Sequence, residues 1–455
     1  MTQKRAARLW GEISTGGVYP ANARVTSFST HQEPASLDRK IDAKNFVFIA
    51  SDYKPRPGGI ATYLDNLARG LRSLGTETTV IAIVEAHETE RIAFLERYEK
   101  WVSPLLVVHD KRPSGWFGNK FVSLLEILRC STPRARHVLD KTPYFRASMD
   151  SINRLDKVLR EQQPTMIVFG HLDLKLYPFA LYMRESGLPY GIIAHDSEVY
   201  RFPAKKNDLV RRGLMIKGAR WIAANSSHTK SLVEMWGIPS SRIKLIHPPI
   251  AEEALRQSTT LQRVLPSEDQ LNLVTISRLV KAKGIDIVIR ALKILSQKRI
   301  PFRYVIAGEG GEREFLQGLA AELGLRDAVR FVGSITDNEK WAILRDSDIY
   351  VMPSRINPEI QHEGFGISFI EAAAFGVPGV GSRGGGIPDA VLDGETGILV
   401  PQESPEALAK ALIFLYENPE KRREIGKAGQ ARARAQFSPS AVAAHFLKVA
   451  LDVQT

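Results

Sequence analysis

At 455 residues the chain exceeds one ordinary core, so two domains of roughly 200 residues each are expected. Apolar residues at 44% and charged residues at 25% exclude a disordered chain, and the single Cys130 excludes an intramolecular disulfide or a Cys-rich zinc site. The net charge of +12 lies wholly in the first half: residues 1–250 hold 37 Lys and Arg against 24 Asp and Glu, the remainder 25 against 26.

That asymmetry favours an anionic partner for the first half, whether phospholipid headgroups, a phosphorylated acceptor or nucleic acid; the plainer alternative is a solvated basic surface. The lone cysteine fits a reducing compartment. Residues 1–42 begin MTQKRAARLWGEISTGG, basic with no apolar core behind, and read as a polar tail rather than a secretory signal. No run of 18 apolar residues predicts a membrane-spanning helix.

From residue 43 the pattern is regular. NFVFIA (45–50) suits a buried parallel strand, SDYKPRPGG forms a loop, and Ile60, Leu64, Leu67, Leu71 and Leu74 mark one helical face. Strands follow at 78–84, 165–170, 190–195, 221–225 and 243–247, separated by helical patterns. Residues 101–148 interrupt this rhythm as an insertion in which Trp116, Phe117 and Phe121 lie among Lys111, Arg112 and Lys120, a composition found at lipid interfaces and in ordinary surface subdomains. The polar interval 251–270 reads as a linker, and a second series of strands begins at 271–277 and continues at 302–308, 329–333, 348–354, 378–382 and 397–400. Alternating strands and helices predict an α/β fold: two doubly wound, Rossmann-like domains, 43–250 and 271–437, facing across a cleft, with a last helix in 438–455.

Several signatures are absent. There is no G-x-x-x-x-G-K-[ST] phosphate loop, and VGSRG has Val380 where a nucleophile elbow needs glycine. GEGGER ends at Arg313 and GFGISF at Phe369, so neither completes a dinucleotide fingerprint. No metal-ligand spacing of His, Asp or Glu is evident.

Three anion-binding elements remain. Gly58-Gly59, between a strand and a helix, allows close backbone approach and offers free N–H groups, although a tight turn needs glycine anyway. SRLVKAKGIDIVI places Arg278 at a strand's carboxyl end and Lys283 before Gly284 and a helix, where two cations suit a diphosphate. HEGFGISFIEAAAFGVPGVGSRGGGIPDAV (362–391) carries Glu363 and Glu371 eight positions apart. Eight helical steps rotate about 800°, so the two share no face; Glu363 belongs in the preceding loop and Glu371 within the helix. The amides of Gly364, Phe365, Gly366 and Ile367 then form the helix start, and the two carboxylates suit a polyol, since each accepts hydrogen bonds from neighbouring hydroxyls. The plainer alternative makes Glu363 a helix-dipole partner and Glu371 a surface residue. His195 and Asp196, in IIAHDSEVY, end a first-domain strand and face the cleft.

This set resembles the retaining nucleotide-sugar glycosyltransferases of GT-B fold, family 4, over residues 44–437. The resemblance is strongest in SRLVKAKGID, VIAGEGGEREFLQGLAAELGLRDAVRFVGSI, DIYVMPS and the Glu-x7-Glu element with its G-G-x-P and D-G-x-T-G continuation. It implies that Glu371 holds the ribose hydroxyls, Glu363 and the amides from Gly364 to Ile367 the donor sugar, and Arg278 and Lys283 the diphosphate. Gly59 would approach the diphosphate from the other domain, with His195 beside the transferred sugar. It also implies front-face attack with retention, the leaving phosphate taking the acceptor's proton, no metal, and no cofactor beyond the nucleoside diphosphate sugar that serves as donor. The last helix would cross back onto the first domain. LIHPPI (245–250) departs from the Asn-Gly-Val-Asp of many relatives, and Asp389 stands where glutamate is commoner.

The expected activity is transfer of a hexose-type sugar to a saccharide or lipid-linked acceptor in cell-surface polysaccharide or glycolipid synthesis. The expected location is cytoplasmic, peripheral on the inner membrane face, with LVRRGLMIKGARW (209–221) offering Arg211, Arg212, Lys217 and Arg220 to headgroups. The alternatives are a non-catalytic sugar-nucleotide binder and a basic nucleic-acid binder; no recognised nucleic-acid module is present, so no nucleic-acid partner is expected.

Overall fold

The computed structural model describes residues 45–55, 58–85, 87–107, 143–200, 206–260, 270–356 and 363–452. The 1–42 tail and the aromatic–basic cluster from Lys111 to Phe121 lie outside the described residues.

Two parallel sheets organise the chain. The first contains β1 (Asn45–Ala50), β2 (Glu77–Glu85), β3 (Val102–Val107), β4 (Met166–Phe169), β5 (Tyr190–Ala194), β6 (Trp221–Ala224) and β7 (Ile243–Leu245), in the order β3-β2-β1-β4-β5-β6-β7. The second contains β8 (Leu271–Ile276), β9 (Phe302–Ala307), β10 (Val329–Gly333), β11 (Ile349–Met352), β12 (Gly379–Ser382) and β13 (Gly397–Val400), in the order β10-β9-β8-β11-β12-β13. Every strand pairing is parallel, so helices must cover both faces and the central strands become continuously apolar. In β1 the alternation is visible: Phe46 and Phe48 enter one core, Val47 and Ile49 the other. Strand order reverses between β1 and β4 and between β8 and β11, the positions where such sheets open a ligand crevice.

The block 101–148 is not wholly an insertion. Residues 102–107 pair with β2, Pro104 standing opposite Ala82. A proline reads against a strand, yet β3 is an edge strand, where the missing N–H costs little. The helix Pro143–Gln162 also begins inside that block. Nor is 251–270 only a linker: Glu252–Thr260 is a helix whose Ala254 and Leu255 are buried with Trp341, Phe365 and Ile370 of the second half.

The last helix, Pro439–Asp452, packs into the first half's core. Its Phe446 ring lies 5.6 Å from Phe46, 5.8 Å from Phe48 and 5.7 Å from Trp221. Gly70, in the helix Gly59–Ser73, permits this approach: a Cβ there would stand 2.2 Å from the Pro439 carbonyl oxygen.

Candidate active site

In the second half, Glu363 and Gly364 lead through Gly366 into the helix Ile367–Ala374. Gly366 holds φ at 96°, which L side chains rarely adopt. The Gly384–Gly386 turn after β12 stacks backbone to backbone on this segment, and Gly386 N–H donates to the Glu363 carbonyl at 2.9 Å. A Cβ on Gly385 would meet that carbonyl at 2.5 Å, and one on Gly386 would meet Gly364 oxygen at 2.0 Å. The triple glycine therefore sets the height of the glutamate turn.

Both glutamates hold lysines. Lys283 Nζ lies 2.6 Å from Glu363 Oε2, with side chains 13% and 15% exposed. Glu371 is 5% exposed, which removes the surface-residue alternative, and its Oε1 accepts from Lys340 Nζ at 2.8 Å. Lys340 also lies 3.2 Å from Asp337 and 4.0 Å above the Trp341 ring. Burial would lower its pKa, but Glu371 and Asp337 outweigh that and raise it. Lys340 has no local sequence signal; it is 31 residues from Glu371 and reaches it only through the packing of the helix Asp337–Arg345.

Lys283 ends the 3-10 turn Lys281–Lys283 after β8. Arg355, also unforeseen, clamps this turn: its N–H donates to Ala282 oxygen at 2.8 Å and its Nη1 to Lys281 oxygen at 2.7 Å. Its guanidinium forks onto both Asp286 oxygens at 2.7 Å and also engages Glu403. Arg278 stands at the β8 carboxyl end as expected for its position, with an exposed side chain. Lys283, the second predicted cation, is in direct contact with the glutamate turn.

The first half faces this turn. A Cβ on Gly59 would lie 3.8 Å from Ile367 Cδ1; Gly58 is extended at φ 165°, a backbone any residue adopts. His195 is 7% exposed at the end of β5, its Nε2–H donating to Gly170 oxygen at 3.1 Å and its ring edge-on to Tyr63 at 5.2 Å. Burial lowers its pKa, so the ring is neutral near pH 7. A Cβ on Gly364 would lie 2.8 Å from Asp196 Cβ and 3.3 Å from Asn225 Nδ2, which sets the carboxyl ends of β5 and β6 directly against the second half.

The LIHPPI segment and Asp389 meet here as well. His247 packs 5.2 Å from Phe365 and 5.8 Å from Phe437, so the Phe365 side chain serves the core while its backbone lies in the glutamate turn. The Asp389 carboxylate accepts the Ser227 N–H across the halves and lies 3.8 Å from His247. Burial pushes the His247 pKa down to about 4, against the opposing pull of Asp389. A depressed base contributes stability above its unfolded pKa, about 6.5, that is lost as pH falls toward 4. Unfolding titrations should show up to roughly 3 kcal/mol lost across that window, and His247→Phe should remove much of this slope.

Two facing, doubly wound parallel halves with the site between them define the GT-B class. The chain resembles in fold HepE of Anabaena, solved with UDP (TM-score 0.67, 18% identity, 90% of this chain and 100% of that one). It likewise resembles S. aureus TarM (TM-score 0.64, 14% identity, 89% and 99%). Residues 57–254 match the profile described as Glycosyltransferase Family 4, and 257–432 that of Glycosyl transferases group 1; the chain belongs to glycosyltransferase family 4. A GDP-mannose-dependent α-(1-6)-phosphatidylinositol monomannoside mannosyltransferase of Mycolicibacterium smegmatis is 37% identical over 36% of this chain and 43% of its own length. A D-inositol 3-phosphate glycosyltransferase of Pseudarthrobacter chlorophenolicus is 33% identical over 48% and 52%. The chain thus spans about half the length of the curated relatives it matches.

Proposed function

We propose that the protein transfers a hexose-type sugar from a nucleoside diphosphate sugar to a saccharide or lipid-linked acceptor, with retention and without a metal. The observation that carries this reading is the contact of Lys283 with Glu363 on the glycine-supported turn that faces His195, Asp196 and Asn225. In this reading Lys283 turns its charge to the diphosphate, assisted by Arg278, and stabilises the negative charge that grows on the departing phosphate. Glu363 and the amides at the helix start hold the sugar, and Glu371 exchanges its lysine bond for the ribose hydroxyls. Neutral His195, its Nε2–H committed to Gly170, lies beside the sugar. The departing phosphate oxygen takes the acceptor's proton, so no separate protein base is needed.

The relatives' printed substrates, GDP-mannose among them, and the UDP bound to HepE support this donor class and leave both bases to be tried. Screening the purified protein against UDP, GDP and ADP sugars for hydrolysis and transfer tests the reading; turnover of none refutes it.

A peripheral position at the inner membrane face is part of the proposal. No helix among the described residues is long and apolar enough to cross a membrane. On the helix Lys206–Gly218 the predicted basic set is divided: Arg211 lies over the Tyr177 ring at 5.8 Å and Arg212 bonds the Tyr200 carbonyl. Lys217 and Arg220 are exposed. Replacing these two by serine should weaken sedimentation with anionic liposomes by about 5-fold per charge, at roughly 1 kcal/mol each. Unchanged sedimentation removes this helix as the contact.

A further inference from the structure

We propose that Asp196 and Asn225 form a hydroxyl-binding site for a sugar ring in the cleft, an assignment that rests on the glycosyltransfer reading above. Asp196 is 3% exposed, and neither carboxylate oxygen takes part in a hydrogen bond. Among the described residues it is the one carboxylate in that condition. His228 Nε2 stands 3.1 Å from Oδ1, and the same nitrogen lies 3.1 Å from the Tyr200 hydroxyl, so the imidazole divides its attention between two partners. Asn225, 5% exposed, likewise leaves its side-chain oxygen without a donor.

The two residues lie side by side because β5 and β6 are neighbours, pairing Ala194 with Ala224, and each residue follows closely on its strand. Both face Gly364 of the sugar-holding turn. A buried acceptor without a donor costs more than an ordinary hydrogen bond gains, so such a pair persists where a ligand supplies the missing partners. Three acceptor oxygens repel phosphate and carboxylate groups and call for neutral O–H donors. Adjacent hydroxyls of a pyranose ring provide these, two of them able to share one carboxylate. The Gly364 turn roofs the site, so a ligand enters when the halves part, and closure then shields these bonds from water. The ring belongs either to the donor hexose or to the acceptor saccharide; the chemistry is the same.

The experiment uses the full chain carrying Asp196→Asn or Asn225→Ala, with a donor and acceptor that the wild type turns over. Calorimetric binding of the nucleoside diphosphate without sugar reports the fold and should stay within 2-fold of wild type. A rise of 5-fold or more in the donor KM for hydrolysis assigns the hydroxyls to the donor. Unchanged hydrolysis with an equal rise in acceptor KM assigns them to the acceptor; either supports the site. Donor and acceptor KM values both changing by less than 5-fold overturn it, and a lowered Tm beside unchanged KM values shows Asp196 to be a structural partner of His228. Where Asp196→Asn also loses nucleoside diphosphate binding, Asn225→Ala decides alone by the same thresholds. A wild type that turns over no nucleoside diphosphate sugar instead refutes the glycosyltransfer reading, and this assignment with it.

Discussion

Lys283→Met is expected to lower kcat for transfer by about 10²–10³-fold, the usual loss when one preorganised group that stabilises developing charge is removed. Methionine keeps the length of the side chain and removes its charge. Two effects then compete: the diphosphate loses a fixed cation, and Glu363, only 15% exposed, loses its partner. A double-mutant cycle separates them. Glu363→Gln removes the unpaired carboxylate, so a Lys283→Met/Glu363→Gln protein that regains most of the lost rate would show that repulsion dominated. The expected result is no such recovery, because charge on the leaving phosphate is what the ammonium meets in the transition state. A loss below 10-fold in Lys283→Met would remove Lys283 from the chemistry.

Glu371→Ala is expected to weaken nucleoside diphosphate binding by about 30- to 100-fold, the equivalent of roughly 2–3 kcal/mol for hydrogen bonds to a charged group. Stability should fall as well, by about 2 kcal/mol, because Lys340 is left beneath the helix with only Asp337 and the Trp341 face for company. The raised pKa of Lys340 means that this contribution is fully present below the unfolded lysine value, about 10.4, and fades only as pH climbs through the folded value above it. Adding Lys340→Met should restore stability without restoring affinity, a division that chemical denaturation and calorimetry read independently. Retained nucleotide affinity in Glu371→Ala would end the ribose assignment.

The legible parts of the site share one property: each is a short, contiguous run whose chemistry needs particular residue types. Lys283 beside Gly284, Glu363 before an apolar helix, and His195 at the end of a continuous apolar strand could each be placed from neighbours a few positions away. Arg355 and Lys340 could not. Arg355 acts on Lys281, Ala282 and Asp286, about 70 residues earlier, and on Glu403, 48 later. On its own, each reads as an ordinary surface charge. Likewise β3 was hidden by Pro104, because a proline is tolerated only on an edge strand and edge status depends on the sheet's order. The helix Glu252–Thr260 was hidden by its polarity, because only two of its residues, Ala254 and Leu255, are buried.

The amino-acid order alone determined the class of architecture, since short continuous apolar runs alternating with period-3.6 patterns admit little besides layered parallel sheets, and it named the candidate cations and carboxylates. Folding in three dimensions decided which of those groups meet. Lys283 touches Glu363, Glu371 is buried under Lys340, and Asp196 lies beneath Gly364 with neither carboxylate oxygen in a hydrogen bond. The physical reason is range: backbone propensity and hydrophobic pattern act over a few residues, whereas desolvation and charge pairing depend on whatever the rest of the chain brings within a few ångströms.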